Sequence, residues 1–122
     1  MPSPGETSAA VRPGEKVLDI ATGTGDIALA ILKRSPGAEI TGADFSAEMM
    51  AYGRSKPGGE QITWVEADAL ALPFEDQTFN AVTSGYLLRN VGDIPRCLAE
   101  KFRVLQPGGR AIALESAPPP RN

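Results

Sequence analysis

Apolar residues come in short runs along this chain, broken by glycine, proline and acidic clusters, with strand-like and helix-like patterns alternating between the breaks. Lys16 to Ile20 (K-V-L-D-I) is β-prone and predicts a first buried strand. Gly23 and Gly25 follow, and then Asp26 to Arg34, a helix-forming run that Pro36-Gly37 ends. Ala38 to Ala43 predicts a second strand with Asp44 at its end. Ser46 stands where an N-cap belongs, ahead of a helix to about Ser55 with Met49, Met50 and Tyr52 on its apolar side. Lys56 to Glu60 is a turn. Gln61 to Glu66 alternates like a third strand, a long loop with Pro73 and Asp76 follows, and Phe79 to Ser84 predicts a fourth strand. Gly85 to Gly92 reads as a loop or short helical turn. Asp93 caps a helix from Ile94 to Leu105, with Pro95 in its first turn and apolar positions at Leu98, Phe102 and Leu105. Pro107-Gly108-Gly109 is a sharp turn, and Arg110 to Glu115 is the fifth strand. Residues 1–14 form an irregular lead-in, residues 15–116 the core, and residues 117–122 a proline-rich tail that cannot extend a sheet.

The order β-α-β-α-β-loop-β-α-β specifies an α/β domain: a mostly parallel sheet with right-handed crossovers and helices on both faces. Such sheets bind ligands beyond the carboxyl ends of their strands, where strand order reverses. Three segments meet there: the glycine turn after strand one, Asp44 after strand two, and Asp68-Ala69 after strand three.

Composition narrows the chemistry. With 122 residues, one domain is expected; 42% hydrophobic and 22% charged residues fit a soluble globular fold. The net charge of −3, with no basic cluster beyond Lys33-Arg34, argues against a nucleic-acid partner. There is no histidine and a single cysteine, Cys97, so no metal site, no disulfide framework and no histidine base is expected. Cys97 itself reads as a packed apolar residue. No apolar run is long enough for a membrane helix, and Met1 to Ser8 has no signal-peptide core, so a cytoplasmic location without stable membrane insertion is expected.

The segment Gly23 to Ala28 matches G-x-G-x-x-A. A strand, a glycine turn and the first N–H groups of a helix make a nucleotide-type site. The same pattern suits a pyrophosphate or the phosphate-free S-adenosylmethionine, whose ammonium would favour a carboxylate such as Asp19. A plain β–α turn is the simplest alternative. Asp44, nineteen residues after Gly25, can accept both hydroxyls of a ribose and does not separate the cofactors. It could instead cap the next helix. Asp68 can accept from an adenine amino group while the Ala69 N–H donates to a ring nitrogen, or the pair is an ordinary Asp turn.

Taken together, these segments resemble class I S-adenosylmethionine-dependent methyltransferases, most closely the ubiquinone/menaquinone-biosynthesis C-methyltransferases. The matching stretches are D-I-A-T-G-T-G (Asp19 to Gly25), G-A-D-F-S (Gly42 to Ser46), A-D-A-L-A-L-P-F-E-D-Q-T-F (Ala67 to Phe79), Y-L-L-R-N-V (Tyr86 to Val91) and R-V-L-Q-P-G-G-R (Arg103 to Arg110). The resemblance implies a Rossmann-like sheet of about five strands in the order 3-2-1-4-5. It implies a cofactor site of Asp19, Ala21, Thr22, Gly23, Gly25, Asp44, Phe45, Asp68, Ala69 and Ser84. Asp19 and the glycines would line the methionyl end, Asp44 would hold the ribose, and Asp68 with Ala69 the adenine. Arg89 and Tyr86 are the implied catalytic residues: with no histidine, Tyr86, Asp93 and Arg89 are the candidate polar groups for the phenolic proton, and Arg89, a poor base, is assigned to orienting or stabilising a phenolate.

The implied activity is methyl transfer from S-adenosyl-L-methionine, with S-adenosyl-L-homocysteine as product, to a small or hydrophobic, quinol-like acceptor. A non-catalytic cofactor-binding module or subunit is the alternative. A nicotinamide dehydrogenase is a third reading, disfavoured because neither a catalytic Tyr-x-x-x-Lys nor a histidine is expected. Relative to the family, the chain is expected to be shortened at both ends, without the N-terminal helical cover and the C-terminal antiparallel strand pair. Strand five would then be an open edge, and such edges invite pairing, so a homodimer or higher oligomer through strand five is expected.

Overall fold

The computed structural model describes residues 11–84 and 92–112. The strands are β1 (Lys16–Ile20), β2 (Glu39–Asp44), β3 (Thr63–Glu66), β4 (Phe79–Thr83) and β5 (Leu105–Ile112). The helices are α1 (Asp26–Arg34), α2 (Ala47–Arg54) and α3 (Ile94–Arg103), and Gly59–Gln61 is a single 3₁₀ turn. All strand pairs are parallel and the order is β3-β2-β1-β4-β5. This is the expected Rossmann-like order. The chain steps outward from β1 to β3, then returns to the other side of β1, so strand order reverses between β1 and β4.

Successive residues of a strand face opposite sides of the sheet, and the core divides accordingly. Val17, Ile40 and Ala81 pack with Ala28, Ile31 and Leu32 of α1 on one face. Leu18, Ile20 and Val82 pack with Cys97, Val104 and Leu72 on the other. The lead-in is held down from Val11 onward: Val11 is buried in the first cluster, and the Gly14 N–H donates to the Gly37 carbonyl at 2.8 Å.

Three expectations change. First, β3 starts at Thr63 because the 3₁₀ turn occupies Gly59–Gln61. Second, β5 starts at Leu105, ahead of Pro107-Gly108-Gly109. Phe79 pairs with Leu105 but Ala81 pairs with Arg110, so the turn residues bulge out within the strand. Proline has no ladder donor and Gly108 sits at φ +80°, so this triplet turns locally while pairing resumes on both sides. Third, two helix faces are rephased. On α2, Met50 is buried while Met49 and Tyr52 are exposed. On α3, Phe102 is 58% exposed and the inward stripe runs through Cys97, Lys101 and Val104. Gly85 to Val91 and the region after Ile112 lie outside the described residues.

Candidate functional site

The glycine turn is built by backbone angles that most residues avoid. Ala21, Gly23 and Gly25 have φ of 60°, 58° and 83°. Ala21 pays a steric cost for this that glycine does not. Thr22 ties the turn down: its N–H donates to the Ala43 carbonyl at 3.0 Å, its carbonyl accepts from the Gly25 N–H at 2.8 Å, and its hydroxyl donates to Asp19 at 2.8 Å.

Asp19 is nearly inaccessible. Its second carboxylate oxygen accepts from the Thr83 hydroxyl at 2.6 Å, a bond that crosses from β1 to β4 at the reversal of strand order. Burial pushes this carboxyl up to about 6. The Thr83 and Thr22 hydroxyls oppose that rise, and the charge of Asp44 adds to it. A cationic group brought to this carboxylate would relieve the cost of its charge.

Asp44 bridges two loops. One oxygen accepts from the Gly23 N–H at 2.6 Å and the other from the Ser46 N–H at 2.8 Å. Helix capping falls to Ser46, whose hydroxyl accepts from the Met49 N–H at 3.3 Å. Each carboxylate oxygen carries two lone pairs, so these bonds leave Asp44 able to accept from a diol. Phe45, beside it, is 79% exposed: an apolar ring facing solvent next to a polar clamp. Asp68 is exposed and accepts from the Leu70 N–H at 2.9 Å, forming an Asx turn. Its strand is tied to Asp44 by the Ala67 N–H, which donates to the Asp44 carbonyl at 2.8 Å. The three acidic loops thus stand at adjacent strand ends. Tyr86 and Arg89 lie outside the described residues.

Four features escaped the sequence reading. The first is Trp64 on β3. A Cβ at Gly25 would stand 2.5 Å from its ring, and one at Gly53 2.6 Å. The bare backbone at Gly25 is therefore filled by the indole, whose Nε1 donates to the Gly59 carbonyl at 2.8 Å. At Gly23 the neighbour is the Met49 methyl, 3.3 Å from where a Cβ would be.

The second is a clasp from α3 onto the loop between β3 and β4. Arg96 donates to the Leu70 carbonyl. Arg103 donates to the Leu72 and Phe74 carbonyls, to Asp76 and to Glu100, and Glu100 accepts from the Leu72 N–H. The guanidinium beside Glu100 holds that carboxyl below the usual range. The apolar lettering of the loop hid its dependence on charged partners from α3.

The third is Lys101. Its Nζ donates to the Ser84 hydroxyl oxygen at 3.0 Å, and burial lowers its pKa. The fourth is the spacing Tyr52-x-x-x-Lys56, which a nicotinamide dehydrogenase would use. Here Lys56 is committed elsewhere, donating to Asp26 at 2.7 Å and Thr24 at 3.2 Å, with its amine 5.3 Å from the Tyr52 ring centre. Among the described residues, no group of three acidic, cysteine or histidine side chains could hold a metal, and no helix is long and apolar enough to cross a membrane. A separate surface groove of about 390 Å³, lined by Lys16, Glu39, Thr63 and Phe79 among others, lies at the amino ends of the strands, away from this site.

The model of the ubiE/COQ5 methyltransferase family matches residues 5–121. The chain is 51% identical over 107 residues to the ubiquinone/menaquinone biosynthesis C-methyltransferase UbiE of Desulfotalea psychrophila, covering 88% of this chain and 44% of that protein. It is 50% identical over 109 residues to the demethylmenaquinone methyltransferase of Thermus thermophilus, covering 88% and 50%. The chain thus spans about half the length of the curated relatives it matches. Among solved structures, phosphoethanolamine N-methyltransferase 2 of Haemonchus contortus in complex with S-adenosyl-L-methionine superposes with a TM-score of 0.75 at 25% identity, over 87% of this chain and 25% of that one.

Proposed function

The chain belongs to the ubiE/COQ5 methyltransferase family, and from that premise we propose that it binds S-adenosylmethionine and serves methyl transfer to a small, hydrophobic, quinol-like acceptor. The observation that carries this reading is Asp19, a buried carboxylate at the strand reversal whose charge is costly without a cationic partner. The cofactor's methionyl ammonium is such a partner. Its sugar suits Asp44, its adenine suits the exposed Phe45 ring and the Asp68-Ala69 loop, and the turn through Ala21, Thr22 and Gly23 brings backbone close to it, with Gly25 closing the turn against Trp64. When bound, S-adenosylmethionine supplies a methyl on a sulfonium: the carbon–methyl bond forms as the sulfur–methyl bond breaks, leaving the thioether S-adenosylhomocysteine. The protein's share is positioning and exclusion of water. Arg89 and Tyr86 are assigned to the acceptor side, and Ser84 to the boundary between the two ligands.

Calorimetric titration tests the cofactor assignment. S-adenosylmethionine and S-adenosylhomocysteine should bind and NAD should not; a folded protein that binds neither sulfur compound refutes the reading. Labelled-methyl transfer to a quinol analogue then separates an enzyme from a binding module. We also assign the β5 side of the sheet, where among the described residues β5 pairs only with β4, to pairing with a second copy of the chain, and a compartment without stable membrane insertion, the cytoplasm, to its place of action.

A further inference from the structure

We infer that Ser84, backed by Lys101, is the hydrogen-bond donor that holds the ionised ring oxygen of the methyl acceptor. This rests on the methyltransferase reading and deepens it at the acceptor end.

Four observations converge on it. Lys101 stands on the inward stripe of α3 between Cys97 and Val104, both fully buried, where an apolar side chain would be expected. Side chains on a helix lean toward its N-terminus, and α3 runs antiparallel to the strands, so the stem of Lys101 climbs toward the carboxyl ends of the sheet. There its Nζ meets the Ser84 oxygen at 3.0 Å. The preceding residue Thr83, at the end of β4, holds Asp19 at 2.6 Å on the opposite face of the sheet, so the carboxylate assigned to the cofactor's cation and the hydroxyl held by Lys101 flank the carboxyl end of β4.

The chemistry follows from the donor inventory. A serine hydroxyl has one proton, and an ammonium only donates. With Nζ donating to its oxygen, Ser84 must point its own proton at a further acceptor, and the adjacent ammonium strengthens it as a donor. Among the described residues, the titratable group whose field reaches Lys101 is Cys97, one turn earlier on α3, and Ser84, directly after β4, is its hydrogen-bond partner. Burial lowers the pKa of the amine, and a nearby anion would oppose that shift.

A ring hydroxyl that loses its proton to solvent supplies that anion, and its charge is shared with the ring carbon that takes the methyl. After transfer, that carbon releases its own hydrogen as a proton and the oxygen regains one, so one proton leaves overall. Ser84 contacts the acceptor in this scheme, and Lys101 acts through it as a positioning residue.

The test measures ionisation of a bound phenol rather than turnover. The protein is saturated with S-adenosylhomocysteine, and a chromogenic naphthol is titrated with pH while its ionised form is followed by absorbance. In the wild-type protein the bound naphthol should ionise about one pH unit below its free value, a tenfold shift. K101M and S84A should return it to the free value, and K101R should keep most of the shift because it restores the charge. K101M retains the apolar stem, and its melting temperature should match or exceed that of the wild type, which separates loss of function from loss of fold. A bound naphthol with the same ionisation in K101M as in wild type overturns the inference. So does failure of the cofactor-loaded wild type to bind the naphthol at all, while leaving the methyltransferase reading standing. Failure to bind S-adenosylhomocysteine overturns that reading and this inference with it.

Discussion

Asp19 shows how much can rest on one side chain. Its carboxyl has an ordinary value of 3.8 and is raised by burial to about 6 in the fold. The folded chain therefore holds this proton more tightly than the unfolded chain. Stability falls as pH rises between those values, and the full cost, on the order of 3 kcal/mol, is present above about 6. Asp19→Asn should thus melt close to the wild type at pH 4 and increasingly above it toward pH 8, while losing affinity for S-adenosylmethionine. Melting curves across that range, paired with titration calorimetry, check both halves; a variant that is less stable than wild type at pH 8 would count against the burial argument. Gly25 carries a different constraint. An alanine there would hold a φ of 83° and drive its Cβ into the Trp64 ring. Gly25→Ala should cost at least about 2 kcal/mol in denaturant unfolding, and Gly25→Ala combined with Trp64→Leu should recover the part due to contact but not the part due to backbone strain.

At the level of elements, α3 does more than cover the sheet. Through Arg96, Glu100 and Arg103 it sets the course of the loop that carries Asp68 and Ala69. Arg103→Ala leaves the Glu100 carboxylate without its guanidinium and the Leu72 and Phe74 carbonyls without a donor. A loss of about 2–3 kcal/mol is expected. Glu100→Gln should cost less, and the double variant should cost less than the sum, because the two side chains act as one unit. Unfolding of the four proteins of this cycle measures the coupling; simple additivity would mean that the clasp is not a unit. Arg103→Ala should also weaken cofactor binding through the loop, whereas Arg103→Lys, which cannot reproduce the fork, should restore little of it.

For the whole molecule, the open question of cover is set by the sheet edge. Among the described residues β5 pairs only with β4 and ends the sheet order. Unpaired edges recruit other strands. Light scattering should therefore show a dimer or larger assembly at high micromolar concentration, with the population shifted by a proline at Ala111. A protein that stays monomeric throughout would remove the edge-pairing assignment without touching the cofactor site.

The alternating strand and helix patterns, the glycine turn and the acids at three strand ends were legible in the chain itself. The reason is local: β-branched runs, caps and left-handed glycines report on their own backbone, and β1 and α1 occupy the residues that the pattern assigns them. The motifs also suffice to place the chain in its family. Tertiary structure alone decided what depends on partners distant in sequence. It sent Asp19 between two threonines, one of them 64 residues away, and filled the space beside Gly25 with Trp64. It turned α3 so that Lys101, rather than Phe102, faces inward to Ser84. A helical stripe read from hydrophobicity alone selects the greasiest face; packing selects the face that fits the sheet, and here that face carries an amine.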